Sequence, residues 1–454
     1  MAVALRSSFD LVYLPDHGFV AEDGALRILI NVNRQIRRID ISHNLLGLAG
    51  VGVLLGGLST LRSRYAGAEG GWGIREINLA ANDLDDAALE AVAGYAKRDE
   101  WLGKLLLQGN RIELKSRLEN IIALINGSHL TTLSLNTNPL DADAAIRFFE
   151  TLALPTLTDL HLSSCGLPSA TAEAIAGYLA SDRCGRLVRL ELNGNRLGAQ
   201  GVRRIVDVIE RYNFTILHVG LFSNDLGVAM GLREEQEEEG QNHHGDDGLG
   251  LGGAGTRENG PGRRDTRTSE QKAKDASILE YTVHQRLPDL LARNRTRTRR
   301  IRSAALRAIA PARIILRGRP PTDEETAREV IQDIGERKAI RQFPILNLPR
   351  EVIYHIVRHA SGDGSAFSSA QFARLRTHAE DPGSCVALAE TTRREIKAGG
   401  YGEEDRVRWE VRERWLREGE WDRWDSERTP GGTIEPDEPR NEGVWVSLEG
   451  GRVE

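Results

Sequence analysis

Residues 102–112 read LGKLLLQGNRI, and this stretch decides the fold. Its apolar residues and its asparagine follow the spacing L-x-x-L-x-L-x-x-N-x-L. In such a stretch, Leu-x-Leu predicts a short strand whose apolar side chains point inward. The asparagine amide can bond backbone groups where the chain turns out of the strand. A single match has little weight, so the argument depends on whether the pattern recurs.

The same pattern occurs seven times, in phase, over the first half of the chain. Between the copies, apolar residues recur three or four apart, as at Leu89, Val92 and Ala96, which predicts helices on the side opposite the strands. Seven copies in phase predict one parallel sheet with a stacked ladder of polar side chains, whose weakest hydrogen bonds are at the cysteine. The ladder positions are Asn44, Asn82, Asn110, Asn138, Cys165, Asn195 and Asn224.

These repeats resemble the ribonuclease-inhibitor-like leucine-rich-repeat family over residues 24–231. The resemblance implies an α/β horseshoe solenoid, with a concave parallel sheet and convex helices, that binds proteins. We therefore predict a repeat domain at 24–231. Terminal repeats need a cap, so an upstream apolar group is expected to cover the open end of the core. That group is Leu26, Ile28, Leu29 and Ile30.

The composition changes after the last repeat. Residues 232–275 are acidic, Gly-rich and nearly free of aliphatic side chains, so we predict a disordered insertion there. A helical pattern returns at 276–318 and predicts a cap for the far end of the solenoid. This segment contains a basic run at 293–302. The run can be a nuclear-import or nucleic-acid patch, a solvated helix face, or a partner for the acidic insertion.

Residues 322–400 predict a small helical region. Its first helix resembles the start of an F-box, a resemblance that implies docking to a ubiquitin-ligase scaffold; the alternative is a proline-started amphipathic helix in a small bundle. The matching residues are Leu348, Pro349, Glu351, Val352, Ile353, Ile356 and Val357. Residues 401–454 form a charged tail that we expect to be largely disordered. An isolated or partner-seeking helix is predicted at 403–425, with tryptophans at Trp409, Trp415, Trp421 and Trp424.

Composition limits the function classes. The formal charge of −6 over 454 residues argues against nucleic acid as a partner, and no apolar run is long enough for a membrane span. The 3 cysteines form no metal-type or disulfide pattern, so we expect a reducing compartment, the cytoplasm or alternatively the nucleus. No catalytic motif is present, and we predict no enzyme activity, cofactor or metal. The pair Asp85-Asp86 is interpreted as helix capping.

The predicted function is a scaffold that binds a protein partner through strand residues on the concave face. A small-GTPase regulator is one alternative, because the repeats and the acidic tract resemble the Ran GTPase-activating protein family. An F-box-like substrate adaptor of a ubiquitin ligase is the other. The predicted contact residues are Asp40, Asn78, Gln108, Asn136, His161, Glu191, Asn193 and Phe222.

Overall fold

A computed structural model describes residues 10–65, 72–224, 268–317, 348–381, 387–393 and 404–423. Its centre is one open sheet of eight parallel strands, arranged in chain order. Each strand has three residues, and its central residue is buried while its two neighbours point away from the core. The strands are β1 Leu11–Tyr13, β2 Arg38–Asp40, β3 Glu76–Asn78, β4 Lys104–Leu106, β5 Thr132–Ser134, β6 Asp159–His161, β7 Arg189–Glu191 and β8 His218–Gly220.

One helix follows each of the first seven strands, as the apolar spacing predicts. Asp85 begins α3, where its side chain accepts a hydrogen bond from Ala88 N, and Asp141 begins α5 in the same way. The apolar faces of the helices and the central strand residues form one continuous core. The helices are α1 Ala21–Leu29, α2 Gly47–Arg64, α3 Asp86–Arg98, α4 Leu118–Asn126, α5 Ala142–Thr151, α6 Thr171–Ala180 and α7 Gly198–Arg211.

The sheet has one strand more than the seven repeats predict. Strand β1 lies upstream of the predicted boundary at residue 24, and it pairs with β2 in register. Val12 and Leu14 of this extra repeat are buried. The expected cap is also different, because Ile28 alone of its four residues is fully buried, whereas Leu26 and Ile30 are exposed.

The far end of the solenoid is covered by a long helix in three parts, which are α8 Ser269–Tyr281, a π-helical turn Thr282–Arg286 and α9 Leu287–Arg317. Val283, Leu287, Leu290 and Leu291 are buried in the core of the repeats. This agrees with the helical cap predicted from residue 276. However, part of the insertion predicted to be disordered is helical, since α8 includes residues 269–275. Residues 225–267 of that prediction lie outside the described residues.

A second core lies at the other end of α9. It is formed with α10 Arg350–His359, α11 Ser369–Glu380 and α12 Glu404–Glu418, and the short helical segment 387–393 contributes Leu388 at its edge. Trp415 and Trp421 are buried in it, at 6% and 0% exposure. The prediction of an isolated or disordered tail is therefore wrong for 404–423, because these tryptophans have apolar partners within the chain. Residues 424–454 are outside the described residues.

Candidate functional site

The side of the sheet that faces away from the helices carries three rows of side chains, which we call the concave surface. The rows run straight across the strands because neighbouring strands pair without offset. The first row is Arg38, Glu76, Lys104, Thr132, Asp159, Arg189 and His218. The second row is Asp40, Asn78, Leu106, Ser134, His161, Glu191 and Gly220. The third row, just beyond the strands, is Ser42, Ala80, Gln108, Asn136, Ser163, Asn193 and Phe222.

The first row is charged and was not predicted. Its charges alternate and pair across neighbouring strands. The alternation of side chains along a strand was the signal that would have found it, because the residue before the central one also points outward. The pairs are Arg38 with Asp10 at 3.0 Å, Lys104 with Glu76 at 3.9 Å and Arg189 with Asp159 at 3.2 Å.

The predicted contact residues all lie in the second and third rows, but half of them also hold the backbone. Asn136 Oδ1 accepts a hydrogen bond from Ser163 N at 2.7 Å, and Asn193 Oδ1 accepts one from Phe222 N at 2.9 Å. In β2 and β3, Asp40 and Asn78 each accept a bond from the backbone N–H two residues later. Replacing these four side chains would disturb the sheet as well as its surface.

Three neighbouring strands bring five charged or ionisable groups together around Glu191, and we call these residues the Glu191 cluster. The Glu191 carboxylate lies 3.1 Å from His218 Nδ1 and 3.6 Å from the Arg189 guanidinium. His161 is beside Glu191 in the register, and Asp159 pairs with Arg189. Burial lowers the pKa of His161, against the opposing effect of Asp159 and Glu191. The cluster therefore concentrates paired charge at one end of the concave surface.

Phe222 stands at the edge of this cluster. Its side chain is 53% exposed, and its ring centroid lies 5.6 Å from that of His284 in the π-helical turn. Asn193 links the two parts of the site, because its Nδ2 donates to Glu191 at 3.0 Å while its Oδ1 accepts from Phe222 N. An exposed aromatic ring is thus fixed beside a network of polar groups. Such a ring can bury apolar area against a partner while the polar groups set orientation.

The ladder of buried asparagines supports the surface from below. Asn110 Nδ2 donates to Leu107 O at 2.8 Å in its own repeat and to Leu79 O at 3.1 Å in the preceding one. Its Oδ1 accepts from Asn82 N at 2.8 Å and from Leu84 N at 3.1 Å. One amide therefore satisfies four backbone groups in two repeats.

The ladder changes at Cys165. Its Sγ reaches Leu135 O at 3.2 Å, but a thiol cannot provide the amide oxygen. In the preceding repeat, Leu140 N donates to Asn138 O instead. Burial raises the pKa of the Cys165 thiol to about 11, so this side chain is neutral near pH 7.

The basic run at 293–302 is not an open patch, because its side chains are used within the chain. Arg293 donates to two carbonyls at the end of α7, and Arg295 donates to Leu217 O at 3.0 Å. Arg297 lies over the Phe214 ring at 4.5 Å. Burial, aided by Arg297, lowers the pKa of Arg293 to about 10. These residues attach α9 to the last repeat.

The end of the same run attaches α9 to the second core. Arg300 pairs with Asp363 at 2.9 Å, and Arg302 pairs with Glu413 at 2.7 Å. In the F-box-like helix α10, Ile353 and Val357 are buried in that core, whereas Val352 is 42% exposed. The helix is therefore part of a small bundle.

The described residues contain no group of three His, Cys, Asp or Glu side chains that could hold a metal ion. Within the same ranges, no helix is both long and apolar enough to cross a bilayer.

Known proteins resemble the repeat region of this chain, although no family model matches it. The Tonsoku-like protein of Mus musculus is 32% identical over 174 residues, which cover 37% of this chain and 12% of that protein. NACHT, LRR and PYD domains-containing protein 5 of Homo sapiens is 31% identical over 117 residues, or 24% of this chain and 10% of that protein. Ribonuclease inhibitor of Sus scrofa is 25% identical over 213 residues, or 42% of this chain and 46% of that protein.

The chain spans less than half the length of each of these relatives, and between them they share strand–helix repeats rather than a common enzyme activity. Among solved structures, the actin-binding site 2 of leiomodin-1 aligns with 48% of this chain and 98% of that chain at 14% identity, and its TM-score of 0.21 is too low to support an argument. The in-phase repeats, the open parallel sheet and the sequence relatives agree. The chain is a leucine-rich-repeat protein of the ribonuclease-inhibitor-like type.

Proposed function

We propose that this protein is a non-enzymatic scaffold that binds a protein partner on its concave surface, centred on Phe222 and the Glu191 cluster. The observation that carries this proposal is the 53% exposed Phe222 ring, held by Asn193 at the edge of paired charges. A buried aromatic anchor with a polar surround is the usual composition of an energetically important contact. The sheet also provides a rigid support, so little ordering is required on binding.

The relatives support this class of function. Ribonuclease inhibitor, by its name, acts on another protein, and it shares the repeats that build the concave surface here. The two buried cysteines, Cys165 and Cys184, are free, which supports a cytoplasmic or nuclear location for the scaffold.

Neither alternative function is favoured by a contact in the part of the chain that the structure describes. The acidic tract that resembles Ran GTPase-activating proteins falls within residues 225–267, outside the described ranges. In the F-box-like helix, Ile353 and Val357 already pack inside this chain. A small GTPase or a ligase subunit remains a specific outcome of the capture experiment below.

The experiment is affinity capture from lysate with three forms of the chain, followed by a measurement of Kd for the captured protein. Phe222→Ser removes the anchor and leaves Asn136 and Asn193 in place to hold the backbone. Trp409→Ser is the matched control, because Trp409 is 52% exposed but lies on α12. We expect Phe222→Ser to weaken binding by about 2 kcal/mol, roughly 30-fold in Kd, and Trp409→Ser to have no effect. Loss with Trp409→Ser alone would transfer the binding site to the second core and refute the proposal.

A further inference from the structure

The outer face of the first two convex helices differs from the rest of the convex side. Leu26, Ile30 and Leu48 are 54%, 83% and 47% exposed there. In contrast, helices α3 to α7 expose no large apolar side chain along their lengths. Exposed apolar side chains that lie together indicate an interaction surface. We call the outer face of α1 and α2 the α1–α2 surface.

Charge shows the same difference. Helix α2 has no charged residue from Gly47 to Leu61, although it is the longest of the seven repeat helices. The later convex helices are joined by ion pairs between one helix and the next. These pairs are Glu90 with Arg117, Glu119 with Arg147 at 3.2 Å, and Glu173 with Arg204 at 2.8 Å. The later helices are thus adapted to water, whereas the α1–α2 surface is not.

The two ends of the α1–α2 surface carry opposite charges. Glu22 and Asp23 lie in the first turn of α1, and Arg62 and Arg64 lie in the last turn of α2. The helices are side by side, because a Cβ at Gly50 would meet the Ala21 carbonyl and one at Gly57 would meet Leu29. The surface is therefore acidic at one end, basic at the other and uncharged between them.

We propose that the α1–α2 surface is the contact between two copies of this chain, related by a two-fold axis that places their α2 helices antiparallel. This orientation brings the acidic end of each copy to the basic end of the other, while a parallel orientation would join like charges. Space is available for a close approach, since a Cβ at Gly52 or Gly56 would meet nothing within 4 Å. The contact uses the convex side, so the pair would present two concave surfaces.

The first test is the mass of the full chain in solution, measured by sedimentation equilibrium over a range of concentrations. Gly56→Arg puts a long charged side chain in the middle of the proposed contact. Gly177→Arg is the matched control, because Gly177 is also an exposed helical glycine, in α6, with nothing within 4 Å of a Cβ. Both changes replace glycine by a better helix former, so unfolding is not the expected effect.

We expect a dimer for the unchanged chain and for Gly177→Arg, and a monomer for Gly56→Arg. A monomer of the unchanged chain at every concentration would overturn the proposal, as would a dimer that both variants retain. Because Phe222 is on the opposite side of the solenoid, capture of the concave-surface partner should persist in Gly56→Arg. Failure of the dimer and failure of the proposed function are therefore distinguishable.

The second test exchanges charges between the two ends. Glu22→Arg alone and Arg64→Glu alone should each weaken the dimer, since like charges then meet at both ends of the contact. A mixture of the two variants should recover it, because each end then joins an arginine to a glutamate. If the mixture stays as monomeric as the separate variants, the antiparallel arrangement is wrong.

Discussion

Asn110 shows how a single side chain joins two repeats. Its amide bonds four backbone groups, and the side chain is only 6% exposed, so water cannot replace these bonds. Cys165 occupies the equivalent place with one close carbonyl contact, from its Sγ to Leu135 O. The two positions therefore allow a comparison of the same structural element with and without the amide.

We predict that Asn110→Ala lowers the free energy of unfolding by about 2–4 kcal/mol, whereas Cys165→Ala lowers it by about 1 kcal/mol. Urea denaturation monitored by circular dichroism would measure both. Equal losses at the two sites would show that the amide bonds add nothing to burial alone.

Two adjacent carboxylates also differ in role, although both were interpreted as helix caps. Asp85 is the cap of α3. Asp86 is 6% exposed and instead holds the loop of the next repeat, accepting bonds from the backbone N–H groups of Glu113, Leu114 and Ser116 at 2.8–2.9 Å. That loop needs support, because Leu114 has a φ of 64°.

We predict that Asp86→Asn destabilises the protein by about 1–3 kcal/mol, because an amide offers one acceptor oxygen and places a donor against N–H groups. Asp85→Asn should cost only a few tenths of a kcal/mol, since asparagine is a good helix cap. Thermal unfolding of the two variants side by side is the measurement. A larger loss for Asp85→Asn would contradict this assignment of roles.

At the scale of elements, the attachment of α9 determines how firmly the last strand is held. Asn294 is fully buried, and its Nδ2 donates to Ile216 O at 2.9 Å and to Asn213 O at 3.2 Å. Both carbonyls belong to the loop that leads into β8. The helix therefore fixes the strand beside which Phe222 lies.

We predict that Asn294→Ala leaves these carbonyls without a donor and weakens the end of the sheet by about 2 kcal/mol. Native-state hydrogen exchange should then show the β8 amides exchanging roughly 30-fold faster, with β3 amides unchanged. Ser303→Ala, at an exposed position of the same helix, is the control. Uniform acceleration in all strands would mean that the change acts on global stability instead.

Sequence patterns predicted most of the sheet because each repeat contains its own signal. Strand β1 was missed since His17 occupies its ladder position, although Val12 and Leu14 fill the apolar positions and are buried. The first row of the concave surface was missed because the repeat pattern marks inward residues only. The positions of Trp415 and Trp421 depend on contacts with distant helices, which no local pattern specifies.

At the scale of the whole molecule, α9 connects two separate cores. Leu287 and Leu291 belong to the core of the repeats, while Ala304 and Ala308 belong to the second core. A further contact is made by Arg423, whose guanidinium donates to Gly185 O at 2.6 Å. The two parts are therefore coupled mainly through one continuous helix.

We predict that a break in this helix uncouples the cores. Arg299→Pro, at an exposed position between them, removes a helical hydrogen bond and costs about 3 kcal/mol locally. Calorimetry should show two separate transitions for this variant and one for both the unchanged chain and Arg299→Ala. One transition in all three proteins would mean that surface contacts such as that of Arg423 are sufficient for coupling.

The paired charges of the first row have a consequence for how fast a partner arrives. Arg38, Lys104 and Arg189 each lie beside an opposite charge on the neighbouring strand. Their fields cancel over about 5 Å, which is shorter than the Debye length of about 8 Å in physiological salt. Long-range attraction is therefore weak, and association should proceed at the unsteered rate of about 10⁵–10⁶ M⁻¹s⁻¹. Stopped-flow mixing at low and high salt should give nearly the same association rate, so that the lifetime of the complex, rather than the frequency of encounter, governs selectivity.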